Sequence, residues 1–239
     1  MTDPKTLLIA VLIGVIPALI WLWFWLREDK ENPEPKGLIL LTFILGMISV
    51  ILVLPLEKVA SIYITGGKIS LVLALSFMEE VIKYLAAAVL ALKSKFNDEP
   101  IDPAIYMITA ALGFAAFENI LFLIQPISLQ ETTVSLLTGN LRFLGATLLH
   151  ATSSAFVGVA LGLAFFKKAA VKGLYLLGGL IFAIALHTAF NFYIIRDGGE
   201  NFLRIFAFLW VVTIIIILIL EKLRRMGAST AFKQIQGQV

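Results

Sequence analysis

Seven stretches of this chain are each apolar enough, and each near enough to 20 residues, to cross the hydrocarbon of a bilayer as a helix. They run roughly from Thr6 to Leu26, Gly37 to Leu54, Ile69 to Leu92, Pro103 to Ile124, Leu141 to Phe166, Gly173 to Ile195 and Phe202 to Leu220. No soluble fold accommodates such a pattern. A 60% hydrophobic content, 15% charged residues and a mean hydropathy of +0.96 all lie on the membrane side of the ordinary range. In lipid the backbone must satisfy its own hydrogen bonds, so the fold class expected is an all-α, multispanning transmembrane helix bundle of about seven helices. It reads as one integral membrane domain over residues 1–239, with short connections such as "EDKENPEPK" (28–36) and a short tail after Met226.

The first span lacks a small-x-small cleavage site and ends in "WLWFW", so it reads as a retained anchor rather than a signal peptide, with Trp21, Trp23 and Trp25 as an interfacial belt. Pro17 is the one proline expected clearly inside a span. The absence of cysteine excludes disulfides, thiolate metal sites and a cysteine nucleophile. Lysine and arginine divide unevenly between the loops: Arg27, Lys30, Lys36, Lys93, Lys95, Lys167, Lys168, Lys172, Lys222, Arg224, Arg225 and Lys233 on one side, against Lys5, Lys58, Lys68, Arg142, Arg196 and Arg204 on the other. The positive-inside rule then puts the amino terminus outside and the carboxyl terminus in the cytoplasm. Basic residues so scattered do not make a nucleic-acid surface.

Ionisable groups within hydrocarbon are costly and usually face a bundle interior where they work. The strongly polar side chains within the spans are few: Glu79, Glu80 and Lys83 on the third, Glu118 with Asn119 on the fourth, His150 on the fifth, and His187 with Asn191 on the sixth. The chain's two histidines are both included. At about 1.5 Å per residue, all of these fall at a similar level, between the midplane and the outer half of the bilayer. Four helices can therefore bring carboxylates, imidazoles and a carboxamide to one water-accessible cavity. Glu79 and Lys83 are four apart, Glu80 and Lys83 three apart, His187 and Asn191 four apart, and Phe114 and Glu118 four apart, so each set shares a helix face. Lys83 can neutralise one of the adjacent glutamates and leave the other to act as a general base.

"EEVIK" (79–83), "FAAFEN" (114–119), His150 and "HTAFN" (187–191) resemble, in order and spacing, the PrsW family of intramembrane proteases, which is related to the CAAX endoproteases and the Abi proteins. The resemblance covers the third to sixth spans, a catalytic core of about 69–195, and leaves the other three spans unmatched. It implies peptide-bond hydrolysis at the membrane, with a single-span membrane protein such as an anti-sigma factor cut on its extracytoplasmic side, in a prokaryotic cell membrane. It further implies Glu79 as the base, Glu80 as its partner with Lys83, and His187 and Asn191 as oxyanion donors. Where the CAAX pattern has FxxxH this chain has Phe114 and Glu118, so His150 or Glu118 takes the second water-orienting role.

The same atoms allow a zinc site built from Glu79, Glu118, His150 and His187 with a second glutamate as base. Metal-free glutamate chemistry is preferred, because the HExxH helix signature is absent and the ligands must come from several helices. An ion-coupled transporter or proton relay is the alternative of another class, but neither broken midplane helices nor repeated halves are evident. A noncatalytic adaptor would lack one or more of the motif residues, and all are present. Asn119 serves equally to bridge helices; Gly158, Gly162, Ser153 and Ser154 read as close-packing positions on the fifth span, and Arg142 and Arg204 as interfacial anchors. The stretch from Gln125 to Asn140 is placed to form an outer lid.

Overall fold

The computed structural model describes residues 3–129, 145–196 and 201–236, with side chains as far as Gly227. The described residues contain seven α-helices and no strand: α1 (Pro4–Leu26), α2 (Lys36–Tyr63), α3 (Lys68–Leu90), α4 (Asp102–Ser128), α5 (Thr147–Leu163), α6 (Ala169–Arg196) and α7 (Phe202–Gln236), with a short 3-10 turn (Arg27–Asp29) closing α1. Five of them, α1, α2, α4, α6 and α7, are long and apolar enough to cross a membrane. α3 is long enough as well, at about 34 Å for 23 residues. Its apolar run is interrupted by the three ionisable residues that make the site.

α4 is the axis of the bundle. Every residue from Asp102 to Ala116 is buried, with α1, α2 and α5 packed around it. A helix apolar all round has no wet face to offer, which is why its sequence shows no amphipathic stripe. α3 and α6 pack on one another and on α2 and α5 respectively, and α7 lies against α5.

Small residues set these approaches. A Cβ added at Gly46 of α2 would lie 2.0 Å from the Ala110 carbonyl oxygen of α4, and one at Gly113 of α4 would lie 2.0 Å from the Phe43 carbonyl oxygen of α2. The two helices thus cross with backbone against backbone, each glycine serving the other. Gly158 meets Ala104 Cα in the same way at 2.3 Å, so the close-packing role expected of it is the one observed. Gly113→Val therefore forces α2 and α4 apart and costs about 1–3 kcal/mol or more, whereas Gly178→Ala, with nothing within 4 Å, is neutral or stabilising by up to about 1 kcal/mol. Thermal unfolding of the two variants in the same detergent tests the contrast; equal melting temperatures would show that the α2–α4 crossing is loose.

Three expectations need correction. Trp21 and Trp25 do not form a belt: they are buried, Trp21 beside Trp210 at 5.8 Å, and only Trp23 is well exposed. The four-residue step from Thr6 through Ala10, Gly14 and Ala18 makes a small-residue stripe on α1 that turns inward. Trp21 and Trp25 continue that face, and Trp23 points away from it. Second, α2 runs nine residues past Leu54 and α4 runs to Ser128, so Pro55 and Pro126 join Pro17 as prolines within helices. Hydropathy falls at Glu57 and Lys58, but backbone hydrogen bonding does not depend on hydropathy. Third, the helix continues past Met226 to Gln236, where only a tail is expected. The proposed lid and Arg142 lie mostly or wholly outside the described residues, and Gln125 belongs to α4.

Candidate active site

The polar residues of four helices meet at one point. Lys83 is the hub: fully buried on α3, its Nζ lies 3.1 Å from Glu79 Oε2, 2.9 Å from Glu80 Oε1 and 2.7 Å from His150 Nδ1 of α5, and 4.4 Å over the Phe114 ring of α4. The helical steps of three and four bring both glutamates to the ammonium from its own helix. The ammonium has three protons and no acceptor, and each proton finds a partner.

These contacts fix where one proton sits on each imidazole. Because Lys83 can only donate, His150 Nδ1 accepts from it, and the ring's proton sits on Nε2, which donates to Glu118 Oε2 at 2.9 Å. His187 Nδ1 lies 2.8 Å from Glu80 Oε1, an acceptor, so a proton sits there, and Nε2 is turned toward Glu79 Oε2 at 3.8 Å. His150 Nδ1 approaches the same Glu79 oxygen at 3.7 Å. The two rings lie edge to face with centroids 5.0 Å apart. One ligand atom each from Glu79, His150 and His187 lies within 4.8 Å of the others, all three residues being buried.

Glu79 opens onto a cavity of about 440 Å³ between α2, α3, α4 and α6, lined also by Phe114, Glu118 and Asn191. Its further walls include Glu57, Gln125 and Ile195, so the cavity runs toward the bundle end that holds the carboxyl ends of α2, α4 and α6. Glu80 is not among its lining and is fully buried. It is held by Lys83, by His187 and by Ser154 Oγ, which donates to its Oε2 at 2.7 Å. Asn119 is not a cavity residue; its Nδ2 donates to Thr147 Oγ1 at 3.0 Å, between α4 and α5.

Apart from Asn119, the sequence-based set is thus brought together, joined by two residues absent from it. Ser154 reads as a packing residue but anchors Glu80; its four-residue step from His150 was the available signal. Glu57 lies beyond the second apolar stretch, and only the extension of α2 brings it to the cavity wall.

The two imidazoles and one carboxylate converging at Glu79 make a His₂Glu donor set of the kind that holds catalytic zinc, and a carboxylate on the far nitrogen of each imidazole is the usual support of such ligands. A helix bundle with this constellation sunk in its apolar interior is an enzyme of membrane-embedded hydrolysis. The chain matches, over residues 34–220, the family described as "PrsW family intramembrane metalloprotease", and it belongs to that family of intramembrane proteases. It is 30% identical over 183 residues to Protease PrsW of Bacillus subtilis (strain 168), covering 75% of this chain and 79% of that one. It is 27% identical to Protease PrsW of Geobacillus kaustophilus over 74% of this chain and 76% of that one, and 26% identical to that of Shouchella clausii over 90% and 97%. No solved structure matches. The family's description favours the metal-dependent alternative. A triad gathered from α3, α5 and α6 has no need of the two-histidine helix signature whose absence weighed against zinc.

Proposed function

We propose that this integral membrane protease cuts a single-span membrane protein, such as an anti-sigma factor, close to the outer face of a bacterial cell membrane, with Glu79, His150 and His187 holding a zinc ion. The observation that carries it is the turn of His150 Nδ1 and His187 Nε2 toward Glu79 Oε2, each ring steadied from behind by a carboxylate. Zinc held there would polarise the scissile carbonyl and make bound water acidic.

The chain's own groups do the rest. Glu80 and Glu118 hold the imidazoles in the tautomers that face the centre. Glu118, at the cavity wall, takes the proton from water and returns it to the leaving amine. Asn191, on the same wall, donates its amide to the carbonyl oxygen as charge develops there. Lys83 balances the two buried glutamates of α3. With the amino terminus outside, the cavity's end of the bundle is the outer one, where the juxtamembrane segment of a single-span substrate emerges.

One observation favours a second reading. The Lys83 ammonium lies on the His150 Nδ1 lone pair that a metal would use. In metal-free chemistry Glu79 takes the proton of water, and His187 with Asn191 holds the oxyanion. That role requires His187 as imidazolium, since its Nδ1 proton already goes to Glu80.

Purified protein reconstituted with a single-span membrane substrate, stripped by a strong chelator and then resupplied with zinc, separates the two. Cleavage lost on stripping and regained with zinc is the expected result, with one zinc bound per chain and none in the His150→Ala, His187→Ala variant. Full cleavage by protein shown to be metal-free would leave only the glutamate chemistry.

A further inference from the structure

At the bundle end opposite the cavity, five carboxylates gather where two connections meet the start of α4. Asp29 and Glu34 come from the α1–α2 connection, Asp98 and Glu99 from the α3–α4 connection, and Asp102 from the first turn of α4. One oxygen each from Asp29, Glu99 and Asp102 lies within 4.8 Å of the others. Asp29 is 3% exposed and Asp102 fully buried.

Their partners account for only part of each group. Asp102 Oδ2 accepts from the backbone amides of Asp98 at 2.8 Å and Glu99 at 2.6 Å, which folds the connection over the helix start. The Tyr106 hydroxyl donates to Glu34 Oε2. Among the described residues, no amide, hydroxyl or cation donates to Asp29 Oδ2 or Asp102 Oδ1, both shut off from solvent. None of the five acids makes an ion pair with a lysine or arginine among the described residues, although Lys36 lines the same cavity as Asp29 and Glu34. Burial also holds the Glu34 carboxyl above its ordinary range, although the Tyr106 hydroxyl and a proton shared with Asp102 pull it the other way.

Buried carboxylate oxygens without a donor cost several kcal/mol unless a proton or a cation accompanies them. Like-charged carboxylates at this spacing are the natural ligands of a hard divalent ion, and an all-oxygen donor set suits magnesium, calcium or manganese rather than zinc. We propose that Asp29, Glu99 and Asp102 bind a divalent cation of the magnesium and calcium class, which ties the α1–α2 and α3–α4 connections to the amino end of α4. Of the three, Asp29 also lines, with Glu34, a cavity of about 490 Å³ between α1 and α2. Because α4 is the axis of the bundle and carries Phe114 and Glu118, the clamp fixes the helix on which the active-site cavity depends.

The test uses the full chain in detergent with His150→Ala and His187→Ala, so that the active-site ligands do not contribute. After chelator treatment and dialysis, manganese is titrated in and free ion is followed by its paramagnetic resonance signal. One manganese per chain is expected, displaced by magnesium or calcium but not by sodium. Asp102→Asn, Asp29→Asn and the milder, partly exposed Glu99→Gln should each weaken binding by roughly tenfold or more. Magnesium should also raise the melting temperature of the parent chain and leave that of the Asp29→Asn, Asp102→Asn chain unmoved. No manganese bound at millimolar concentration would overturn the proposal, as a proton shared among the acids would then suffice. Binding unchanged in Glu99→Gln and in every folded Asn variant would overturn it too.

Discussion

Glu79→Gln leaves the protein folded and reduces cleavage of a single-span substrate by about a thousandfold, the middle of the range that a positioned acid–base group contributes. The substitution exchanges one carboxylate oxygen for an amide nitrogen of nearly equal size, so packing around a residue 5% exposed is kept. What changes is the charge at the one point where Lys83, His150 and His187 converge, at 3.1, 3.7 and 3.8 Å from Glu79 Oε2. Under the metal reading a ligand is lost, and under the metal-free reading the base is lost, so both foresee the same fall in turnover. Lys83 keeps Glu80 as its counter-charge, which protects the fold. Rates measured on reconstituted protein, beside a thermal melt of each sample, make the comparison. A variant that cuts within tenfold of the parent would remove Glu79 from the chemistry altogether.

Lys83→Met has the largest expected effect on stability. The ammonium is fully buried, 2.9 Å from Glu80 Oε1 and 3.1 Å from Glu79 Oε2. Methionine fills the same channel and offers no charge, so two carboxylates in the bundle interior lose their shared counter-ion. Removing one partner of such a group costs about 3–5 kcal/mol, because the remaining charge has nowhere to go. The effect belongs to the pairing and not to the volume, so Glu80→Gln added to Lys83→Met should recover part of the loss. Unfolding of the parent, both single variants and the double gives the coupling directly. Purely additive losses would mean that the three groups do not act as a unit.

Much of the site was legible from helical spacing. Glu79, Glu80 and Lys83 had to share a stripe, as had His187 and Asn191, because the α-helix repeats near every fourth residue and the spans were unmistakably helical. The cost of an ionisable group in hydrocarbon then pointed all of them inward. Ser154 escaped because a serine on a helix with small neighbours reads as packing, and only the approach of α3 to α5 reveals Glu80 as its acceptor. Trp21 and Trp25 misled for a similar reason: aromatic residues at a span's end suit an interface equally well, and the decision lay with the neighbours on α4 and α7.

From sequence alone came the class of solvent this chain must live in, the rough position of each helix among the described residues, and the chemical inventory of its site; hydropathy and helical periodicity are local properties and need no partner to be read. The tertiary structure alone decided that α4 is the axis, that Glu57 reaches the cavity, which imidazole nitrogen faces Glu79, and that acids from two connections meet at the far end. Each of those depends on which faces of separate helices come into contact, and that choice is made by backbones crossing where glycines such as Gly46 and Gly113 allow it.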